Sequence, residues 1–429
     1  MLEKLFLTPI GSIIKNKSIQ NFLFLAIIQS SNVLITIISM PLLIQGIGVD
    51  QFGLVNLALS VIVLLNIMVG FGYNLSAPRE IAINQNDKHA LSHLVSNIFS
   101  SKILLASFAT LLILIGVFGL DLFKEYQLIL VYSVLLLFSE ATLPLWFFQG
   151  MEKMKLISIA NIFSKLLFLM GIVLFIHQPE LSKWVNFMMG LSGFMINLFL
   201  LAYIHTFLEI RFYRPQFSAI WASLKENILL FFSNLASHVS INGGLIILSF
   251  FSVAETLGMY SLAERVVMVL RLFPSLIVQA IFPNASKLYK KDEGSFYKFL
   301  RFVYIRVLLC GAVIAMSAYL AAPWIIKVLS RTELDEAVMY LQLLSPLIFL
   351  SCLNIPNITM MLVADLKQLL FKASWMMCLY MIVAASILTY YFGGIGLCYG
   401  ILSTEIITYI ICVVLLYKRN PKLFHGFYS

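Results

Sequence analysis

The chain has 429 residues, 61% of them hydrophobic and 11% charged, with a formal net charge of +9 at pH 7 and a mean hydropathy of +0.96. That composition excludes a soluble globular protein of this size. It also removes nucleic acid as the reading of the basic excess, because the Lys and Arg residues fall in short loops between apolar runs, where they orient a membrane chain.

The first apolar run, Phe22–Gln45, is too long for a signal-peptide core and lacks a small-residue cleavage site, so it is expected to persist as a helix. Twelve runs in all are long enough to cross about 30 Å of hydrocarbon at about 1.5 Å per residue. The first six are Phe22–Gln45, Phe52–Tyr73, Ile98–Phe118, Leu128–Phe148, Leu156–Ile176 and Trp184–Phe207. The second six are Ile228–Phe251, Leu257–Phe282, Phe299–Ala322, Ala337–Val363, Leu369–Phe392 and Ile395–Tyr417. Pro346 and Pro356 interrupt the tenth. The five cysteines, Cys310, Cys352, Cys378, Cys398 and Cys412, lie in apolar runs without paired ligand spacing. They read as small core residues, with no metal site and no disulfide.

With both ends on one side of the membrane, that side collects nearly all the basic loop residues, from Lys4, Lys15, Lys88 and Lys102 through to Lys422. The other side keeps only Lys124, Lys183, Lys327 and Arg331, and Lys165, Arg265 and Arg271 remain inside spans. The bias predicts cytoplasmic termini.

The chain also repeats. At an offset of 205 residues, Asp50-Gln-Phe-Gly-Leu-Val-Asn-Leu-Ala58 falls on Glu255-Thr-Leu-Gly-Met-Tyr-Ser-Leu-Ala263, Gln29 on Asn234, and Pro78 on Pro283. The acid, Gly and Pro matches carry the weight, since apolar matches come easily. The expected fold is all-α and integral to the membrane, with 12 helices in two six-helix bundles related by a parallel pseudo-two-fold repeat. The lobes are predicted over 1–207 and 227–429, joined by a basic cytoplasmic linker at 208–226.

Polar groups inside the spans mark the site. Asn234, His238 and Asn242 recur every four residues and share a helix face. Glu264, Arg265 and Arg271 lie well within the next span, where a charge near mid-bilayer costs about 2.5–3.5 kcal/mol unless it faces a bundle interior or a watery cavity. Glu264 and Arg271 are nearly on one face but about 10.5 Å apart along the axis, so they either meet through long side chains or pair with other helices. The first span carries Gln29, Asn32, Thr36 and Ser39, and the fifth carries Ser158, Asn161 and Lys165. The pattern predicts a polar cavity in a transporter. Gly243-Gly244 and Pro41 are candidate bending points. No nucleophile–base pair or phosphate-cradling loop is visible, so the chain does not read as an enzyme, and no cofactor is called for.

Four stretches resemble the polysaccharide repeat-unit flippases, the Wzx or O-antigen transporter family, which share a superfamily with lipid II flippases and multidrug extruders. They are Gly72-Tyr-Asn-Leu-Ser-Ala-Pro-Arg-Glu-Ile-Ala82, Leu145-Trp-Phe-Phe-Gln-Gly-Met-Glu-Lys-Met154, Gly258-Met-Tyr-Ser-Leu-Ala-Glu-Arg-Val266 and Gln279-Ala-Ile-Phe-Pro-Asn-Ala-Ser-Lys287. The resemblance implies export of an undecaprenyl-pyrophosphate-linked oligosaccharide across the bacterial inner membrane, alongside a polysaccharide polymerase and a chain-length regulator. Arg265 and Arg271 are then the leading pyrophosphate ligands, because guanidinium donates paired hydrogen bonds and stays charged. Asn234, His238, Asn242, Gln29, Asn32 and Lys165 complete the expected substrate wall, and Glu140, Glu264 and Glu405 are the candidates for H+ or Na+ coupling. Two rivals are a cation-coupled drug extruder of the same superfamily and a non-transporting scaffold for polysaccharide assembly.

Overall fold

The computed structural model describes residues 17–121, 123–214 and 217–428; Lys4 and Lys15 of the basic count lie outside the described residues. Regular structure among the described residues is helical throughout. The first half of the sequence holds α1 (Lys17–Gly70), α2 (Tyr73–Ile83), α3 (Lys88–Leu114), α4 (Gln127–Ser133), α5 (Leu135–Thr142), α6 (Leu145–Gly150), α7 (Met154–Phe175) and α8 (Lys183–Thr206). Next come α9 (Phe217–Asn242), α10 (Gly244–Ser249), α11 (Ala254–Leu270), α12 (Leu272–Lys291) and α13 (Glu293–Ser330). The chain ends with α14 (Asp335–Leu344), α15 (Pro346–Leu353), α16 (Ile355–Val363), α17 (Lys367–Arg419) and α18 (Pro421–Tyr428).

Nine helical segments among the described residues are long and apolar enough to cross a membrane. Two of them, Ile27–Ile83 and Lys367–Arg419, run to 57 and 53 residues. Unbroken, they would reach about 85 and 80 Å, far beyond one bilayer. Both are interrupted: at Gly48 (φ 81°, ψ 167°) and at Gly393 (φ 57°, ψ −137°). Those angles suit glycine and few other residues, so the sequence writes the break into each long run. Pro41 sits inside α1 with no such departure; the interruption lies seven residues on.

Prolines subdivide several predicted spans. Pro144 has no N–H to offer the Glu140 carbonyl, and α5 stops at Thr142 before α6 restarts at Leu145. Pro274 likewise offers nothing to the Leu270 carbonyl, and α11 ends there. Pro346 and Pro356 open α15 and α16, so the tenth predicted span is three short helices. The seventh is interrupted at Gly243.

Some ends also move outward. The aspartates Asp87 and Asp292 cap α3 and α13, accepting from His89 N and Ala90 N, and from Gly294 N and Ser295 N. These donors hold both carboxyls below the usual aspartate range. Because α3 starts at Lys88 and not near Ile98, Lys102 lies about 21 Å along the helix. It is a buried residue with a 1% exposed side chain, not the loop cation that the basic count made it. The helical start of α9 at Phe217 similarly takes up the second half of the expected linker.

The chain folds as two compact units. One comprises residues up to Ile47 with Val61–Asn234; the other comprises Gly48–Ser60 with the residues from Leu235 onward. In the first unit, Tyr73, Ala77 and Ile81 of α2 are buried against Trp146, Phe147 and Phe148 of α6. Two of the four resemblance stretches therefore build core, and Gln85 Nε2 adds a hydrogen bond to the Gly150 carbonyl at 2.6 Å. In the second unit, Phe296, Leu300, Met360, Met361, Leu416 and Phe427 form the main cluster. A Cβ on Gly53 would stand 2.8 Å from Gly258 Cα and 2.7 Å from the Ala254 carbonyl oxygen, so the two glycines matched by the 205-residue offset touch backbone to backbone.

Candidate functional site

The first unit encloses a cavity of about 230 Å³. Asn32 and Asn66 of α1, Ser139 and Glu140 of α5, Asn161, Ser164 and Lys165 of α7, and Asn197 of α8 supply its polar lining; Leu136, Leu143, Ile157 and Leu200 supply apolar wall. Its volume is roughly that of seven waters, room for one polar group and not for a whole drug-sized ligand. Two lining amides are held in place: Ser31 Oγ, beside the cavity, donates to Asn161 Oδ1 at 3.1 Å, and Asn197 Nδ2 donates to the Ser139 carbonyl at 2.8 Å. Asn66 Oδ1 is buried with no hydrogen-bond partner among the described residues.

The cations of this unit are unequal. Lys102 Nζ stands 3.5 Å from Glu140 Oε1, a contact made almost without water on the lysine side. Glu140 reaches it from the last turn of α5, just before the Pro144 break. Lys165, by contrast, is within 4.0 Å of no carboxylate among the described residues. It is a cation presented to a wall of amides and hydroxyls.

The second unit holds the remaining charged groups. Arg265 donates from Nε (3.2 Å) and Nη2 (2.9 Å) to Asn56 Oδ1. Arg271, at the break between α11 and α12, pairs with Glu405 of α17, Nη2 to Oε2 at 3.0 Å. Of the two fates the spacing leaves open to Arg271, pairing with another helix is the observed one. Glu264 accepts from the Tyr260 hydroxyl at 3.4 Å. Asn242 Nδ2 donates to the His238 carbonyl at 3.2 Å, as their four-residue spacing requires. Asn234 belongs to the first unit and is half-buried, while His238 and Asn242 belong to the second. Gln29 is exposed, outside the cavity that Asn32 lines.

The structure thus gathers Asn32, Glu140 and Lys165 in one unit, and Arg265, Arg271, Glu264 and Glu405 in the other. Asn66, Ser139, Ser164, Asn197 and Lys102 escaped the sequence reading. Asn66 and Asn197 obey the rule that picked out Asn32, a polar side chain inside an apolar run, and so were within its reach.

A second, open pocket of about 600 Å³ lies where α3 begins and α8 ends, lined by Lys88, His89, Ser92, His205, Glu209, Arg211 and Tyr213. Lys88 is ion-paired to Glu209 and holds that carboxyl below its usual range. Ser92 and Ser96 accept from the Arg211 and Tyr213 backbone N–H groups at 3.0 and 2.8 Å, tying the connecting segment to α3.

Residues 18–289 match a family model described as polysaccharide biosynthesis protein. A protein of Escherichia coli strain K12 named "Putative O-antigen transporter" is 24% identical over 405 residues, 94% of this chain and 97% of its own length. Among solved structures, an inward-facing multidrug resistance MATE family transporter of the MOP superfamily superposes with a TM-score of 0.76 at 13% identity, covering 94% of this chain and 98% of that one. The lipid II flippase MurJ in an inward closed conformation superposes with a TM-score of 0.72 at 12% identity, covering 92% and 87%.

Proposed function

The chain belongs to the polysaccharide biosynthesis protein family, and from that premise we propose that it is a flippase for lipid-linked oligosaccharide units. It is a multi-pass membrane transporter, not an enzyme. In this reading it carries undecaprenyl-pyrophosphate-linked repeat units from the cytoplasmic to the outer leaflet of the bacterial inner membrane by alternating access. Both termini are cytoplasmic, and a polysaccharide polymerase and a chain-length regulator are its working partners. The breaks at Gly48 and Gly393 support twelve spans: each divides one of the nine long apolar segments, and α9 with α10 supplies one more.

One observation carries the substrate class. Lys165 is a cation without a carboxylate partner among the described residues, facing Asn32, Asn66, Asn161 and Asn197. Amides and hydroxyls replace the water around sugar hydroxyls, and an unpaired ammonium suits a phosphate or a sugar acid. Arg265, whose partner is the neutral Asn56, is the counterpart in the second unit; Arg271 is engaged by Glu405. A site for cationic drugs would instead present unpaired acids, and the acid that lines this cavity, Glu140, is paired with Lys102.

The test uses the native cell with the gene removed, measuring lipid-linked oligosaccharide on the cytoplasmic leaflet and polymer at the surface. Trapped intermediate, rescued by the wild-type gene but not by Lys165→Ala or Arg265→Ala, is the expected result. Rescue by both variants would keep the flippase and discard these ligands. Unchanged surface polymer with no trapped intermediate would move the assignment to a drug extruder.

A further inference from the structure

The open pocket of about 600 Å³ between the start of α3 and the end of α8 takes no part in the transport reading. The segment that walls it, Glu209 to Tyr213, is fastened to the first unit. Ser92 and Ser96 of α3 accept from the Arg211 and Tyr213 N–H groups, and the Ile210 side chain is buried in the core. His205 Nδ1 donates to the Ile210 carbonyl at 3.1 Å, so its Nε2 offers a proton only when the ring is charged. The Tyr213 ring stacks on His93 with centroids 4.8 Å apart. The turn itself passes through Glu209 at φ 57°, a left-handed conformation that residues with a Cβ seldom hold. That turn aims the Glu209 carboxylate at Lys88.

Charge and depth together say what the pocket can hold. Lys88 is paired with Glu209, whereas Arg211 is within 4.0 Å of no carboxylate among the described residues. Two cations against one carboxylate leave the pocket net positive. The start of α3 adds nothing to this, because Asp87 already holds the His89 and Ala90 N–H groups. The apolar run of α3 begins at Ile98, and Ser96 and Ser92 lie about 3 and 9 Å beyond it along the helix. That interval spans the headgroup layer, about 5–8 Å thick on each side of the hydrocarbon. Asn97 Nδ2 donates to the Ala219 carbonyl at 3.4 Å and so brings the start of α9 alongside. There Phe217 and Trp221 are 71% and 64% exposed, and Phe207 at the end of α8 is 75% exposed. Aromatic side chains so placed form the girdle expected where headgroups meet acyl chains.

We propose that this pocket binds the phosphate of an anionic lipid headgroup, with Lys88 and Arg211 as its ligands and Glu209 as a competitor that yields Lys88 to the phosphate. The Arg211 guanidinium presents paired donors to two phosphate oxygens, and the Lys88 ammonium donates to a third. Without a phosphate, Glu209 neutralises Lys88. The phosphodiester of phosphatidylglycerol and a polyprenyl pyrophosphate share this chemistry. The site rests on membrane placement alone and stands or falls apart from the flippase reading.

The full chain in detergent micelles is titrated with phosphatidylglycerol while native mass spectrometry counts bound lipid. Lys88→Gln with Arg211→Gln should weaken binding about tenfold or more, the effect of losing one charge-assisted hydrogen bond. Lys290→Gln with Lys291→Gln removes the same charge from the end of α12 and should leave binding unchanged. Equal losses in the two double variants would mean a diffuse basic surface and overturn the site. Glu209→Gln should tighten binding several-fold. Misfolding cannot produce a gain, so an unchanged or weaker affinity in that variant overturns the competitor. Glycerol 3-phosphate is the soluble arm: displacement of the lipid at equal free concentration overturns a membrane-borne occupant. A polyprenyl pyrophosphate that displaces phosphatidylglycerol from the wild type identifies the lipid-linked pyrophosphate as the occupant, and failure to displace it identifies the bilayer lipid. Either result keeps a lipid phosphate in the pocket.

Discussion

The pair Lys102–Glu140 allows the sharpest test of how the first unit carries its charges. At 3.5 Å and an effective dielectric of about 20, the Coulomb attraction is about 5 kcal/mol. Most of that offsets the desolvation of the two groups, whose side chains are 1% and 23% exposed. The pair as a whole therefore adds little stability, whereas removing one partner strands the other charge and costs about 3–5 kcal/mol. Lys102→Met alone should lower the melting temperature in detergent by roughly 6–20 °C, taking about 2–4 °C per kcal/mol for a unit of this size. Glu140→Gln alone should do comparable harm, since it leaves the buried Lys102 ammonium without its counter-charge. The double variant should return to within a few degrees of wild type, a coupling of about 3 kcal/mol or more in the double-mutant cycle. Tryptophan-fluorescence melts of the four proteins decide it. Strictly additive single effects, or a neutral Glu140→Gln, would show that the contact is incidental and that Lys102 is held by packing alone.

Three further outcomes follow from local geometry. Gly53→Ala places a Cβ 2.7–2.8 Å from the backbone of Ala254 and Gly258, atoms that cannot step aside; it should cost about 1–3 kcal/mol, read as a lower melting temperature. Asp292 is held below the usual aspartate value by Ser295 and Gly294. A depressed acid contributes fully above its unfolded value of about 3.9 and loses that contribution as pH falls through the lower folded one, so Asp292→Asn should melt with a flatter acid limb than wild type. Arg301 fastens α18 by donating from Nε to the Phe427 carbonyl at 2.8 Å and from Nη2 to the Gly426 carbonyl at 3.1 Å. Arg301→Gln should speed tryptic cleavage after Arg419 and Lys422; an unchanged cleavage rate would mean that the buried Leu423 and Phe427 hold the helix unaided.

Much of this was legible residue by residue. Membrane class follows from apolar runs, because water and hydrocarbon sort side chains before any fold exists. The interruptions at Pro346, Pro356 and Gly243 were read from the sequence; those at Pro144 and Pro274, inside runs read as continuous, were not, although a missing N–H acts there in the same way. Polarity inside a span also flagged Asn32, Glu140, Lys165, Glu264 and Arg265 as residues that must be buried for a reason.

Which group answers which was not legible. Lys102 looked like a loop cation because a hydropathy window starts where polar residues stop, while a helix starts at its cap, here Asp87. Arg271 and Glu264 share a helix face, and their spacing left open whether they meet or pair elsewhere; Arg271 turned to Glu405, 134 residues on in the chain, and Glu264 accepts from Tyr260. Helical period sets the direction in which a side chain leaves its own axis; it says nothing of what another helix brings within hydrogen-bonding reach. The sequence alone determined that this chain spans a membrane with charge inside it. Only the packing of helices distant in sequence decided that Glu140 meets Lys102 and that Glu405 meets Arg271.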